Sequence, residues 1–223
     1  MLKHIAIIPD GNRRYARNAN ISIEKVYEKS IKKVFDIVVW CKEFKIKTLT
    51  IWGFSTENWK RSEIEKKILF KLFEKKCKEI LSDKAIDKEG IKIKIIGNIK
   101  QFSKNLQKLF KDIEIKTKKN KKFNLNVLLN YGGRSEIISA INQILLEGKK
   151  KITEVEFKKH LWLKEEPDLI IRTSGEQRLS GLLPFQSVYS ELYFEKKLFP
   201  EFQKKDFLKA LKNFEKRERR FGK

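Results

Sequence analysis

Short apolar runs alternate with longer amphipathic stretches along the whole chain. The short runs are rich in Ile, Leu, Val and Phe and predict β-strands at residues 4–9, 48–54, 91–96, 123–129, 168–171 and 192–194. Between the runs, apolar residues recur at helical spacing and predict helices over residues 22–44, 62–81, 102–117, 135–146 and 204–219. The sequences SEIE at residue 62 and TEVE at residue 153 are capping boxes, and the second one starts a further helix.

This alternation of strand and helix is typical of a parallel sheet that is covered on both faces. We therefore predict a single α/β domain over residues 1–223, with a central, mostly parallel sheet of about six strands flanked by helices. No internal repeat or domain boundary interrupts the pattern. The Lys- and Asn-rich segment 116–122 is predicted to be a solvated turn between two elements.

Composition excludes several classes of protein. The chain has 223 residues, of which 40% are hydrophobic and 36% charged, with only 4 Pro and 10 Gly, which argues against disorder and low-complexity linkers. No apolar run is long enough to span a membrane, and the N-terminal apolar run is too short for a secretory signal. These features favour a cytoplasmic protein.

Cysteine and histidine are too scarce for a zinc site. Cys41 and Cys77 lie far apart without a CxxC pattern, so they are expected to be buried thiols in a reducing compartment. The histidines are His4 and His160. A metal would instead be a hard cation bound by carboxylates.

The net charge of +23 comes from 52 Lys and Arg against 29 Asp and Glu. An excess of this size favours phosphates, nucleic acid or an anionic membrane face as partners, without deciding among them. The lysines are spread over almost every predicted helix, which is typical of solvated helix faces. The arginines gather beside glycines and turns, where side chains meet ligands.

Ligands of open parallel sheets bind beyond the carboxyl ends of the strands. Polar segments follow the predicted strands at residues 10–14, 55–59, 97–98, 130–134 and 172–178. Asp10 precedes Gly11 and Asn12, so backbone N–H groups at a helix start would face a phosphate while Asp10 holds Mg²⁺. A DGN tripeptide is also a good turn and cap, but the adjacent Arg13 and Arg14 favour the phosphate site.

A second cluster is the segment RTSGEQRLS. Arg172 and Arg178, with Ser174 and Ser180, would form a cradle for a diphosphate, although a charged surface loop has the same composition. Glu191 lies in an aromatic, apolar run, where a carboxylate needs a cation. It would complete a two-carboxylate Mg²⁺ site with Asp10, or form a salt bridge to an arginine.

Aromatic residues also reach the strand ends. The chain has 16 Phe and 4 Trp. Aromatic residues near the strand ends are Trp52, Phe54, Trp59, Tyr131 and Phe185. Together with the diphosphate cradles they suit an amphiphilic ligand that has an anionic head and a hydrocarbon tail. Packing of the core would also explain most of them.

Five linked motifs resemble the cis-prenyltransferases, the undecaprenyl and dehydrodolichyl diphosphate synthase family. They are HIAIIPDGNRRYA, FSTENWKR, NYGGR, DLIIRTSGEQRLSGLLPFQSVYSELYF and RERRFG, in the family's order and spacing over essentially the whole chain. The PDGNRRYA and GLLP variants resemble archaeal members. The resemblance implies a homodimeric, Mg²⁺-dependent α/β enzyme with an apolar tunnel, which adds isopentenyl diphosphate in cis to an allylic prenyl diphosphate. Its product would be a long-chain, undecaprenyl-like diphosphate, a precursor of a glycosyl-carrier lipid, released at a membrane surface.

The same resemblance assigns roles by position. Asp10 would bind Mg²⁺ and the allylic diphosphate, and Glu191 would complete the metal site, with some groups crossing the dimer interface. Residues implied in primer binding or near the condensation centre are Gly11, Asn12, Arg13, Arg14 and Asn58, and those on a mobile loop that closes over substrate are Ser55, Glu57, Trp59 and Arg61. Residues implied in holding isopentenyl diphosphate are Arg172, Arg178 and Ser180, and those in a C-terminal motif that reaches the partner's active site are Arg220 and Gly222.

Three positions depart from the family pattern. Ile23 and Tyr27 stand where many members have Arg and His, and Gln177 stands where bacterial members have His. A different primer or acceptor, or slow turnover, is therefore expected. The alternatives are a catalytically silent, polyprenyl-binding partner subunit, which the retention of Asp10 disfavours, and a nucleic-acid-binding protein, for which no recognisable motif is present.

Overall fold

A six-stranded sheet forms the centre of the molecule in the computed structural model, which describes residues 2–217. The strands are β1 (His4–Ile8), β2 (Thr48–Ser55), β3 (Ile91–Ile96), β4 (Phe123–Tyr131), β5 (Leu169–Arg172) and β6 (Glu191–Phe194). Their order across the sheet is β3-β4-β2-β1-β5-β6, and every neighbouring pair is parallel. The predicted α/β class and the number of strands are confirmed.

The helices are α1 (Asn12–Asn18), α2 (Ile23–Glu43), α3 (Glu63–Ser82), α4 (Ala85–Lys88), α5 (Lys104–Thr117), α6 (Gly133–Leu146), α7 (Glu154–His160) and α8 (Lys204–Glu215). Of these, α2, α3, α5, α6 and α8 lie where the apolar periodicity places them, and α7 follows the predicted capping box at Thr153. Both predicted capping serine and threonine hydroxyls accept the expected N–H groups, Ser62 from Glu65 at 3.3 Å and Thr153 from Glu156 at 3.2 Å. The short α4 and three 3₁₀ turns, at Thr56–Lys60, Ile99–Gln101 and Phe199–Glu201, are too brief to give a periodic pattern, so they were not predicted.

Both faces of the sheet are buried. On β1, Ile5 and Ile7 pack into a large core with side chains of α2, α3, α5 and α8. Ala6 and Ile8 point to the opposite face and join a smaller core that includes Leu182 of the segment before β6. This alternation follows from the two-residue period of a strand, and it explains why β1 (HIAII) and β5 (LIIR) are apolar at nearly every position. The edge strand β3 (IKIKII) alternates instead, with its lysines only partly buried.

The parallel register brings the carboxyl ends of four strands to one edge. Ile8 of β1 is paired with Arg172 of β5, while the neighbouring β2 and β4 end at Ser55 and Tyr131. The turns that follow these strands therefore lie side by side. Cys41 and Cys77 are free thiols and are buried, as predicted. Within residues 2–217, no helix has both the length and the hydropathy that crossing a bilayer requires.

Candidate active site

Asp10 lies in a rigid turn between β1 and α1. Gly11 has a φ of +104°, and a Cβ at this position would lie 2.8 Å from Leu198 Cδ2, so the turn requires glycine. The Gly11 N–H donates to Asp10 Oδ1 at 2.7 Å, and the Phe199 N–H donates to the Asp10 carbonyl at 3.0 Å. The carboxylate is thereby fixed at the carboxyl edge of the sheet.

Arg172, the last residue of β5, connects the two predicted cradles. Its Nη2 donates to Asp10 Oδ2 at 2.8 Å, and its Nη1 donates to Ser180 Oγ at 2.7 Å and to the Arg178 carbonyl. The guanidinium is buried, and its Nε has no hydrogen-bond partner within residues 2–217.

Burial by itself would raise the pKa of Asp10, but hydrogen bonding and charge attraction from Arg172, with the Gly11 N–H, lower it below its ordinary value. The carboxylate is consequently ionised at neutral pH. A half-buried, ionised Asp10 beside a buried guanidinium is an arrangement that suits a hard cation and a phosphate together.

Glu176 occupies the space between two of the predicted phosphate-binding arginines. Its carboxylate lies 3.4 Å from Arg14 Nη1 and 2.5 Å from Arg178 Nη1. Sequence reasoning gave this glutamate no role, because a Glu in a polar loop carries no signal by itself. In the structure it neutralises the arginines that an incoming diphosphate would contact.

Asn12 connects α1 to α2. Its Nδ2 donates to the Pro9 carbonyl at 3.1 Å, and its Oδ1 accepts from Ser30 Oγ at 2.6 Å. Ser30 lies in the second turn of α2 and was not predicted as a site residue, since nothing in the sequence separates it from other polar helix positions. The two bonds fix the Asn12 amide at the wall of the cavity described below.

The turn after β2 is held by two side-chain contacts. The Ser55 N–H donates to Asn58 Oδ1 at 3.1 Å, and Trp59 Nε1 donates to Asn130 Oδ1 at 2.8 Å. The Trp59 ring packs among the rings of Phe54, Phe70 and Phe102, at centroid distances of 5.3 to 5.5 Å. Trp59 thus anchors the turn to the large core, and the mobility of this segment stays a prediction.

Tyr27, at one of the departures from the family pattern, bonds within the protein. Its hydroxyl donates to Glu65 Oε1 at 2.5 Å and accepts from Arg61 Nη1 at 2.9 Å, while Arg61 and Glu65 lie 3.1 Å apart. Burial, reinforced by Glu65, raises the pKa of Tyr27, so the hydroxyl stays protonated. These three residues, the Tyr27 triad, join α2, α3 and the turn after β2.

A cavity of about 430 Å³ begins at these polar groups and continues between the sheet and α2, α3 and α5. Predicted site residues that line it are Asp10, Asn12, Arg13, Ser55, Glu57, Asn58, Arg61, Arg172 and Ser180. Away from this mouth the lining is mainly apolar, with Val34, Phe110, Leu125 and Leu129 as examples. The cavity is consistent with the predicted apolar tunnel.

Other predicted site residues do not line the cavity. Gly11 shapes the turn, Trp59 lies in the aromatic cluster, and Arg14 and Arg178 are paired with Glu176 beside the mouth. Gln177, the third departure, is exposed on the same loop. Arg220 and Gly222 lie outside the described residues.

Glu191 and Asp10 are not brought together within one chain. Glu191 begins β6 and is paired with Leu169 at the amino end of β5, whereas Asp10 follows the carboxyl end of β1. The two ends of β5 are about 10 Å apart. Glu191 instead accepts from Arg217 Nη1 at 2.7 Å, which is the salt-bridge alternative raised by the sequence.

Comparison with known proteins places this chain in a family. Residues 8–222 match the family model described as "Putative undecaprenyl diphosphate synthase". A "tritrans,polycis-undecaprenyl-diphosphate synthase (geranylgeranyl-diphosphate specific)" of Thermococcus kodakarensis is 44% identical over 99% of this chain and 86% of its own. An "isoprenyl transferase" of Thermus thermophilus is 40% identical over 100% of this chain and 89% of its own.

The fold matches as well. The crystal structure of lavandulyl diphosphate synthase from Lavandula x intermedia in complex with dimethylallyl diphosphate superimposes with a TM-score of 0.91, at 31% identity, over 100% of this chain and 98% of the other. The resemblance in the motifs, including that to archaeal members, is confirmed. The chain belongs to the undecaprenyl diphosphate synthase family of cis-prenyltransferases and is a prenyl-transferring enzyme.

Proposed function

We propose that this enzyme extends an allylic prenyl diphosphate with isopentenyl diphosphate units in cis, making a long-chain polyprenyl diphosphate. The observation that carries the proposal is the cavity, which has Asp10, Arg13, Arg61 and Arg172 at its mouth and apolar walls beyond them. Such a cavity matches substrates with an anionic head and a growing hydrocarbon tail. The product is undecaprenyl-like and serves as a precursor of a glycosyl-carrier lipid.

The primer we propose is the twenty-carbon geranylgeranyl diphosphate. Several relatives that are 41 to 44% identical carry names specifying geranylgeranyl diphosphate. The Tyr27 triad supports a primer site that differs from the common family pattern, because a hydroxyl bonded within the protein replaces an imidazole at this position.

In the proposed reaction, the bond between the allylic carbon and the diphosphate oxygen breaks. The double bond of isopentenyl diphosphate then attacks the allylic cation, and the new carbon–carbon bond forms as a proton leaves the isopentenyl unit. The arginines at the mouth stabilise the negative charge that develops on the departing diphosphate. The Asn12 and Asn58 amides, both fixed by hydrogen bonds, line the wall where the two substrates meet.

The residues present fit a magnesium ion. Mg²⁺ in phosphate-transferring sites uses one or two carboxylates and completes its shell with water and substrate oxygens. Asp10 supplies an ionised, partly exposed carboxylate. Among residues 2–217, no three His, Cys, Asp or Glu side chains form a group that could hold a metal ion. When bound, the ion would neutralise charge on the leaving diphosphate.

A homodimer forms part of the proposal. Ile138, Ile141 and Leu145 follow one another at helical spacing on α6 and are exposed, Leu145 to 64%. Val155 on α7 and Val188 before β6 add exposed apolar surface. A second copy would cover this surface, and the distance between Asp10 and Glu191 within one chain supports a metal site that is completed across the dimer.

Incorporation of labelled isopentenyl diphosphate by the purified protein in detergent tests the proposal. Allylic diphosphates of ten, fifteen and twenty carbons are offered separately with Mg²⁺, and the extracted products are sized by chromatography. We expect long-chain product with the twenty-carbon primer, no product in the presence of EDTA, and recovery when Mg²⁺ is added back. Absence of product with every primer would contradict the proposal and favour the silent-subunit alternative.

The Tyr27 triad gives a separate prediction. Tyr27→Phe removes the hydroxyl that holds Arg61 at the mouth, while the Arg61–Glu65 ion pair remains. We expect the KM for the allylic primer to rise about three- to tenfold, the range of one hydrogen bond, with a smaller change in kcat. Steady-state kinetics measure both constants. The matched control is Tyr15→Phe, because Tyr15 does not line the cavity. Equal primer KM values in both variants and the parent enzyme would show that Tyr27 does not position Arg61.

A further inference from the structure

The amino ends of β2, β3 and β4 form an edge of the sheet opposite the diphosphate-binding mouth. The segments that enter these strands are residues 42–47, 83–89 and 116–122, and the three strands are neighbours in the sheet. They contain ten lysines against four carboxylates. We call these three segments the basic edge.

The carboxylates of the basic edge are already engaged. Glu43 is paired with Lys204 and Glu89 with Lys42, while Asp87 lies 3.6 Å from Lys116 Nζ and Asp83 accepts the Ala85 N–H at 2.7 Å. Exposed lysines of the edge that form no salt bridge within residues 2–217 are Lys45, Lys47, Lys84, Lys88, Lys118, Lys119, Lys121 and Lys122.

Helix capping does not account for these lysines. Lys116 Nζ donates to the carbonyls of Ile80, Leu81 and Asp83 at the end of α3, and this one side chain serves that terminus. Lys118, Lys119 and Lys121 make no side-chain hydrogen bond within the described part of the chain. These three charged side chains lie on one loop, and they therefore face solvent or a binding partner.

The apolar end of the cavity lies beneath this edge. Cys77 and Ile80 from the last turns of α3, Ile113 from the last turn of α5, and Ile93 near the start of β3 line the cavity. Two large apolar side chains are exposed beside lysines of the basic edge, Phe44 after α2 to 42% and Ile115 next to Lys116 to 61%. A hydrocarbon chain whose diphosphate lies at Asp10 would point its free end toward the basic edge.

We propose that the basic edge docks on an anionic phospholipid bilayer, so that the product's tail leaves the cavity into lipid. This rests on the proposed function, which supplies the long apolar product. Lysines near an anionic membrane surface each contribute favourable binding, and exposed apolar side chains beside them add to it by entering the interface. Nucleic acid would be attracted by the same charge but would leave the two apolar side chains and the cavity end unexplained.

Vesicle co-sedimentation tests the proposal with two four-lysine variants. The edge variant carries Lys84→Gln, Lys118→Gln, Lys119→Gln and Lys121→Gln. The matched control carries Lys32→Gln, Lys67→Gln, Lys71→Gln and Lys104→Gln, which are exposed lysines of other segments that neither line the cavity nor form salt bridges within residues 2–217. Both variants have the same net charge, so they differ only in where charge is lost.

We expect the parent enzyme and the control to bind vesicles of mixed phosphatidylcholine and phosphatidylglycerol, and to bind less in high salt. The edge variant, which lacks four lysine charges, should partition on the order of 1000-fold more weakly. Vesicles of the same mixture should speed multiple turnover of the parent enzyme and the control but not of the edge variant. The proposal would be overturned if both variants lost vesicle binding equally, or if the parent enzyme bound pure phosphatidylcholine vesicles as well as the mixed vesicles. It would also be overturned if the edge variant kept its lipid binding and lost only its binding to a single-stranded RNA probe. Incorporation in detergent, measured on the same samples, reports separately on the proposed function.

Discussion

Asp10→Asn should lower kcat/KM for chain elongation on the order of 10³-fold, which is the scale of losing a principal electrostatic contact to the leaving group. The amide keeps the size of the carboxylate and still accepts the Gly11 N–H, so the turn is preserved. The negative charge that would hold Mg²⁺ and that faces Arg172 at 2.8 Å is lost. Steady-state incorporation with the preferred primer measures the effect, and thermal unfolding checks the fold.

Glu176→Gln is the matched control for this prediction. Glu176 is a carboxylate at the same mouth, but it pairs with Arg14 and Arg178 and is not placed on the metal. Its neutralisation should change kcat/KM less than about tenfold, since exposed ion pairs contribute little free energy. An Asp10→Asn enzyme that turned over within tenfold of the parent would refute the role we give to Asp10.

Glu136→Ala should lower the free energy of unfolding by about 3 to 5 kcal/mol, the cost of leaving several buried donors without their acceptor. Glu136, in the first turn of α6, is fully buried. Its carboxylate accepts from Tyr131 Oη at 2.6 Å, Gln186 Nε2 at 3.0 Å and the Leu163 N–H at 2.9 Å. It therefore joins the end of β4, α6 and the two segments that flank β5.

Urea denaturation of the Glu136 variant is compared with Gln143→Ala, an exposed position on the same helix. The control should change the free energy of unfolding by less than about 0.5 kcal/mol, as is usual for surface positions. Since Gln186 lies on the segment that also carries Ser180, loosening this junction should also weaken isopentenyl diphosphate binding. Equal stability of the two variants would show that the three donors find other acceptors.

In this structure three arginines near the mouth are paired with the protein's own carboxylates. Arg172 pairs with Asp10, and Arg14 and Arg178 pair with Glu176. A diphosphate would exchange these internal contacts for stronger bidentate contacts to phosphate oxygens. The internal pairs keep the guanidinium groups oriented without a ligand and limit the cost of ordering them when substrate binds.

Local patterns in the chain were sufficient to predict the strands, most helices and the capping hydroxyls of Ser62 and Thr153. Each of these depends on neighbouring residues, because strand burial, helical periodicity and capping all act within a few positions. The rule that ligands bind at the carboxyl ends of parallel strands also located Asp10, Arg172 and Ser180 at one cavity mouth.

The tertiary structure alone decided which polar groups contact each other across the chain. Three contacts show this: Asn12 with Ser30, Tyr27 with Glu65, and Arg14 with Glu176. The two residues of these pairs are 18, 38 and 162 positions apart in the sequence, respectively. No local pattern encodes such pairs, since their contact depends on how helices and loops pack against the sheet. The register of β5 and β6 likewise placed Glu191 at the end away from Asp10. The sequence by itself thus determined the elements and the chemistry available at one edge of the sheet, while long-range packing determined which charges are paired there and where the cavity leads.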